Sequence, residues 1–261
     1  MIYMATDFGR RGPYVGSLHA VLQRAAPAVP RIDLMHDLPR TDPRRAAFLL
    51  ERLMPVVECG SVLLAVVDPG VGGPRRPLIA SAAGRWLVGP DNGLFEMILR
   101  RHAPFRRWEI LEQPATTAKT FHGRDLFAPV AARLAVALAD GQIPHLPEAV
   151  VKVRALQGDE PRPGGDWPDD LAEVIYIDDF GNAMTGLDGK KLDKRARIVI
   201  AGKAGGIEYR ESFSAAPGGA AFWYVNSLGL VEIAVNRGSA AGRLSLAPGS
   251  GFEIDGKDSG R

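Results

Sequence analysis

The sequence predicts an α/β protein: an N-terminal, mostly parallel sheet flanked by helices, followed by a C-terminal small antiparallel β-barrel-like domain. Three observations carry this expectation. Short apolar runs alternate with runs at helical spacing through residues 1–139, the pattern of parallel strands joined by crossover helices. Residues 157–166 are dense in Gly, Pro and charge, as an exposed connection between domains would be. Beyond them, short period-two segments are separated by glycine-rich breaks, which suits a small antiparallel barrel. With 261 residues, 46% of them hydrophobic, the chain can bury two cores. The expected organisation is an α/β domain over 1–156, a linker over 157–170 and a β domain over 171–261.

Each element has a local reason. Residues 1–6 form an apolar run that ends at Asp7, and residues 14–26 carry apolar side chains at helical spacing until Pro27 stops them. Residues 31–35 read as the next strand and 43–53 as an alanine- and leucine-rich helix. Residues 61–67 are wholly apolar apart from Ser61 and feed directly into Asp68, as a strand buried on both faces would. Residues 85–88 read as a strand, and Asn92-Gly93 leads into a helix over 94–101. A further helix over 126–139 ends at Asp140-Gly141, a strong stop signal. In the second half the expected strands are 172–177, 197–201, 207–210, 221–225 and 230–235, with residues 256–261 as a frayed tail.

Composition excludes several classes. A formal net charge of +2 from 32 basic and 30 acidic residues gives no large field, so neither a nucleic-acid nor a membrane partner is implied. A single cysteine, Cys59, excludes an intrachain disulfide and a cysteine-based zinc cluster, and suits a reducing compartment. Because it precedes an apolar strand, it is expected to be a buried, inert thiol. No apolar stretch is long enough to span a bilayer and none resembles a secretory leader, so a cytoplasmic protein is expected.

Three distant segments read as one site: Thr6-Asp7-Phe8-Gly9, the run from Asp68-Pro69-Gly70 to Arg75-Arg76, and Phe121-His122-Gly123-Arg124-Asp125. Each sets an ionisable side chain beside glycine just after an apolar run. In an open α/β sheet the carboxyl ends of the strands gather the chemistry, and Asp7 and Asp68 both fall there. Taken alone, Asp68 reads equally as a turn former, Arg75 as solvated surface, and His122 as a capping or core histidine. Arg124 and Asp125 read as a structural pair or helix start.

These segments, with Pro90-Asp91-Asn92-Gly93 between the second and third, resemble over nearly the whole chain the S-adenosyl-L-methionine hydrolases. That family is also called SAM hydroxide adenosyltransferases and is related to SAM-dependent fluorinase and chlorinase. The resemblance implies attack of water on C5′ of the ribose, giving adenosine and L-methionine, with no metal or redox cofactor. It implies a catalytic triad of Asp68, Arg75 and His122, in which the aspartate orients water and draws its proton, the guanidinium stabilises negative charge on oxygen, and the imidazole holds the water or carries the proton away. Asp7 resembles the aspartate that takes both ribose hydroxyls. Asp178-Asp179-Phe180-Gly181-Asn182 resembles the segment in which Phe180 packs on adenine, Asn182 bonds its edge and Asp178 holds the methionine amino group. Ser227 and the backbone near Arg237 complete the implied substrate contacts. A homotrimer is also implied, with substrate between the first domain of one subunit and the second domain of its neighbour.

The sequence departs from the family pattern at Gly12, where relatives often carry an acid, and at Leu228, where the halogenating relatives have arginine. A halogenase is disfavoured further by Asp68, Val71 and Gly123 at the positions of its halide pocket, since a carboxylate repels a halide. From another class, Asp7, His36, Asp37, Asp68, His122 and Asp125 could form a dinuclear metal phosphoesterase site, although none of the compact metal spacings is present. Gly70 to Gly73 lacks the Gly-Lys-Ser or Gly-Lys-Thr continuation of a phosphate-cradling loop. A non-catalytic SAM-binding regulator is the remaining alternative.

Overall fold

A computed structural model describes residues 1–141, 146–203 and 205–255; the tail expected to fray, residues 256–261, lies outside the described residues. The chain divides into two compact units, Met1–Trp167 and Pro168–Arg261.

The first unit is built on a seven-stranded sheet. In chain order its elements are β1 (Ile2–Thr6), α1 (Tyr14–Ala25), β2 (Arg31–Met35), α2 (Pro43–Leu53), β3 (Val62–Val66), β4 (Pro77–Ala82), β5 (Arg85–Pro90), α3 (Glu96–Arg101), β6 (Phe105–Ile110), α4 (Ala128–Ala139) and β7 (Val153–Leu156). Strands β1 and β3 are buried along their whole length, as their unbroken apolar runs require, and Leu18 and Leu22 of α1 and Leu134 of α4 are fully buried in the same core. Burying each such leucine contributes about 1.5–3 kcal/mol. Helix α2 starts because Asp42 accepts the Arg45 N–H at 3.0 Å while Pro43 occupies the first turn.

The sheet order is β2-β1-β3-β5-β4-β6-β7, and it corrects the expectation of a mostly parallel sheet. Strands β2, β1, β3 and β5 run parallel, but β4 is antiparallel to β5 and β6, and β7 to β6. The reason is local. Ala83 and Gly84 join β4 to β5 with φ of 50° and 72°, the two-residue turn whose twist suits a hairpin, and so short a link can join only antiparallel neighbours.

Cys59 also departs from expectation. It is exposed rather than buried, because it lies in the loop before β3, beside Gly60 at φ 75°, and the buried run begins only after it. Residues 157–167, whose composition reads as linker, are held within the first unit. Arg107 donates to the Glu160 carbonyl at 2.8 Å and Arg76 to its carboxylate at 3.1 Å, while Arg100 donates to the carbonyls of Gly164 at 3.0 Å and Trp167 at 2.6 Å.

The second unit contains β8 (Leu171–Ile177), β9 (Ala183–Asp188), β10 (Arg197–Val199), β11 (Glu208–Tyr209), β12 (Ala221–Val225), β13 (Leu230–Val235), α5 (Ala240–Leu244) and β14 (Glu253–Asp255). Five strands form a sheet in the order β11-β12-β13-β9-β8, and β10 pairs with β14 separately. One face packs Trp223, Val231 and Ile233 into the core; the alternate residues Phe222, Tyr224 and Ala234 lie on the opposite face. The expected barrel does not close among the described residues. Among the described residues the isolated β-bridges between the two sheets are Glu173–Gly251 and Ile198–Ile207, because β10, β11 and β14 are too short to extend a ladder, although Ile198 and Ile254 pack into one core with Trp223 and Val231. Pairing is antiparallel except between β11 and β12. Among the described residues no helix is long and apolar enough to cross a membrane.

Candidate active site

Strands β1 and β3 are parallel neighbours with Thr6 opposite Val66, so Asp7 and Asp68 emerge at the same edge of the sheet. The chain turns back after Asp68 through Gly72, whose φ is 76° and whose missing Cβ leaves room for the Lys119 carbonyl. That return brings Arg75 onto Asp68. Its Nε lies 3.1 Å from both carboxylate oxygens and its Nη2 donates to Oδ2, a forked charge-assisted pair. Arg75 Nη2 also lies 2.9 Å from His122 Nδ1, and the guanidinium sits over the Phe127 ring, 5.3 Å from its centroid. The Asp68 side chain is 5% exposed and that of Arg75 10%, so the pair is largely withdrawn from water.

His122 precedes a single π-type turn, Gly123–Phe127, that leads into α4. A guanidinium can only donate, so His122 Nδ1 is the acceptor and the ring proton is assigned to Nε2. Burial and then the neighbouring Arg75 charge hold the imidazole below its ordinary pKa, against the attraction of Asp68 and Asp125. A cavity of about 200 Å³ opens beside these groups, lined by Asp7, Phe8, Tyr14, Asp68, Phe121 and His122 among others. Phe8, Tyr14 and Phe121 pack edge to face around it, with centroids 5.3 to 6.0 Å apart.

Asp7 is fixed by the Thr41 N–H, 3.0 Å from its Oδ2. Burial raises its pKa against that hydrogen bond. Its loop is anchored by Thr6 Oγ1, which is 2.8 Å from Nδ1 of the buried His36 and accepts the Phe8 N–H at 3.3 Å. Arg124 and Asp125 bond each other at 2.6 Å, and Asp125 accepts the Ala118 N–H at 2.9 Å, so they form a structural pair. Arg76 is committed to Asp91 and Glu160. Among the described residues no three His, Cys, Asp or Glu side chains gather as a metal site, and Asp7, His36, Asp37, Asp68, His122 and Asp125 therefore form no ligand cluster.

The second unit has its own cavity, about 660 Å³, lined by Asp178, Phe180, Asn182, Phe213, Tyr224 and Arg237 among others. Asp178 shapes the turn that bears Phe180 and Asn182: its Oδ1 accepts the N–H groups of Phe180 at 3.0 Å and Asn182 at 2.8 Å, and its Oδ2 the Asn182 amide at 2.9 Å. Gly181 at φ 80° lets the turn lie against Ser239. Phe180 is 81% exposed, an apolar ring held out at the rim. Ser227 is exposed on the β12–β13 turn and is not among the residues that line this cavity. Sequence reasoning missed Thr41, Tyr14, Phe213 and Tyr224. The aromatic ones carry no motif, and Thr41 is betrayed only by its backbone, at φ 54°.

Residues 2–142 match the family model of the SAM hydroxide adenosyltransferase N-terminal domain, and residues 172–253 that of its C-terminal domain. The chain belongs to the SAM hydroxide adenosyltransferases. It is 41% identical over 264 residues to an (R)-S-adenosyl-L-methionine hydrolase of Thermus thermophilus, covering 95% of this chain and 96% of that protein. A protein of the same name from Salinispora arenicola is 37% identical, covering 97% of each chain. Among solved structures, an uncharacterized conserved protein of Thermotoga maritima aligns with a TM-score of 0.80 at 29% identity, over 98% of this chain and all of that one. The family's two domain matches thus fall one in each compact unit, and each unit carries one of the two cavities.

Proposed function

We propose that this protein hydrolyses S-adenosyl-L-methionine to adenosine and L-methionine, and that, as in the hydrolases named above, its substrate is the (R)-sulfonium epimer. Within a chain of this family, the observation that carries the reading is the hydrogen-bonded Asp68–Arg75–His122 cluster, whose Asp68 and His122 line a small cavity. In the reaction a water oxygen attacks C5′, the C5′–S bond breaks with its electrons going to sulfur, and methionine departs as a neutral thioether that needs no acid. The water must lose one proton. Asp68 accepts it, His122 Nε2–H holds the water oxygen, and Arg75 keeps the carboxylate aligned while its charge favours the developing hydroxide. Attack of a hydroxide-like oxygen on a sulfonium annihilates charge, so a site withdrawn from water favours it.

Substrate binding is assigned to Asp7 for the ribose hydroxyls, to Phe180 and Asn182 for adenine, to Asp178 for the amino group, and to Ser227 and the backbone at Arg237 for the remaining contacts. Asn182 spends its amide nitrogen on Asp178, which leaves its carbonyl oxygen to accept from the adenine amino group. Catalysis is thereby assigned to residues 1–156 and most substrate recognition to 171–261, joined by 157–170. In the assembly we propose, a homotrimer, the two sets meet between neighbouring subunits. A reducing, cytoplasmic setting suits the lone cysteine.

The test is incubation of the pure protein with SAM in the presence of chelator and the absence of chloride, with chromatography of the nucleoside. Adenosine and methionine are expected in equal amounts. Activity that disappears on chelation and returns with a divalent ion would favour the metal hydrolase, and a requirement for halide would favour the halogenase.

A further inference from the structure

The centre of the second unit's sheet holds an acid that none of the assignments above uses. Glu232 lies on β13, with Tyr224 of β12 opposite it on one side and Met184 of β9 on the other, and is 2% exposed. Its Oε1 takes the Tyr224 hydroxyl at 2.5 Å and its Oε2 the Asn226 Nδ2 at 2.6 Å. The orientation of Asn226 is not free. Its Oδ1 accepts the N–H groups of Leu228 and Leu230, both at 3.0 Å, so its nitrogen must face Glu232. Glu232 thus receives the Tyr224 hydroxyl on Oε1 and the Asn226 amide on Oε2. Among the described residues no Lys, Arg or His pairs with it, and the nearby charge that acts on it is a second carboxylate, Asp178. Burial, chiefly, raises its pKa. An ionised side chain in this position is costly unless something positive compensates it.

Tyr224 connects this acid to the cavity it shares with Asp178, Phe180 and Asn182. Because its proton points at Glu232, the phenol oxygen can offer the cavity only lone pairs. We propose that Glu232 is a positioning residue that makes this cavity selective for the ammonium end of the substrate, by turning Tyr224 into an acceptor and supplying the buried countercharge that the protein itself does not neutralise. The inference rests on the hydrolase reading and deepens it: Asp178 alone would mark the place of the amino group, and Glu232 sets the polarity of the wall beside it.

Glu232→Gln tests it with little change in size. Asn226 still presents its nitrogen, so the Gln oxygen must face Asn226 and the Gln amide must face Tyr224. Tyr224 then accepts, and its own O–H turns toward the ligand. Calorimetric titration with SAM, S-adenosyl-L-homocysteine and adenosine separates the effects, because the second keeps the ammonium without the sulfonium and the third has neither. SAM and S-adenosyl-L-homocysteine should each bind roughly 10- to 100-fold more weakly, the range for a hydrogen bond to a charged group, while adenosine stays within about twofold. In turnover, KM should rise by more than kcat falls. Equal loss for adenosine, or no loss for S-adenosyl-L-homocysteine, would overturn the inference. Tyr224→Phe removes the acceptor while keeping the ring and carries the same test should Glu232→Gln not fold: roughly a 3- to 10-fold loss for the two ammonium ligands is expected, and none would overturn it. A wild-type protein that fails to bind SAM at all would refute the hydrolase reading instead.

Discussion

Asp68→Asn separates the structural work of the triad from its chemistry. Asp68 and Arg75 are 5% and 10% exposed and joined through both carboxylate oxygens. Removing one partner of such a buried pair typically costs about 3–5 kcal/mol, since the remaining charge is left uncompensated. Asn keeps one oxygen that can still accept Arg75 Nε, so the low end, about 3 kcal/mol, is expected. For a unit the size of Met1–Trp167, that corresponds to a fall in Tm of roughly 6–12 °C. Turnover should fall further, by about 10²- to 10⁴-fold, because a neutral amide cannot accept the water proton. SAM binding should change by less than about tenfold, as the lost interaction matures only in the transition state. Thermal unfolding, calorimetric titration and chromatographic adenosine formation at saturating SAM read the three quantities. A variant with the expected loss in Tm but kcat within about threefold of wild type would show that Asp68 holds Arg75 and does nothing to the water. An unchanged Tm would instead refute the energetics assigned to the pair.

Two further outcomes are expected. His122 is held below its ordinary pKa by burial and by Arg75, so its neutral form contributes stability that is complete above about pH 6.5 and is lost as pH falls through the lowered folded value; the difference in Tm between wild type and His122→Gln should shrink below about pH 6.5, and a difference independent of pH would remove this titration from the account. In the proposed trimer, Asp68→Asn and Asn182→Ala damage different domains, so mixing the two inactive proteins under conditions that exchange subunits should restore some activity, whereas demonstrated exchange without recovery would place each complete site within one chain.

The parts of the fold that could be read from sequence are those in which local pattern and burial agree. Strands β1 and β3 are unbroken apolar runs because both faces are covered, and α2 announces itself through Asp42 and Pro43. The sheet's mixed direction was legible too, but only in two residues. Ala83-Gly84 between two apolar runs is a hairpin signal, and one hairpin inserted into an alternating pattern reverses β4; β6, antiparallel to β4, runs with β5 again, and β7 is reversed once more. The open second-unit sheets follow from strands of two or three residues, and no periodicity in so short a segment indicates whether its ladder will continue around a barrel.

The site divides along the same physical line. Asp7, Asp68 and His122 stand beside glycines at the ends of apolar runs, so chain order alone directs attention to them, and a parallel register then brings Asp7 and Asp68 to one edge. What sequence could not supply is which donors each group would meet. Asp178 reads as a turn former and is one, yet the turn it forms is what holds Phe180 at the cavity rim. Glu232 shows the limit most clearly. In Leu230-Val231-Glu232-Ile233-Ala234-Val235 a lone acid reads as the solvent-facing member of a strand, but its strand is central in the sheet and the phenol of Tyr224 and the amide of Asn226 close over it. An acid within an apolar run therefore carries information only once it is known what covers its face of the sheet: on an open face it meets water, and under a covered one it must find donors, as Glu232 does in Tyr224 and Asn226.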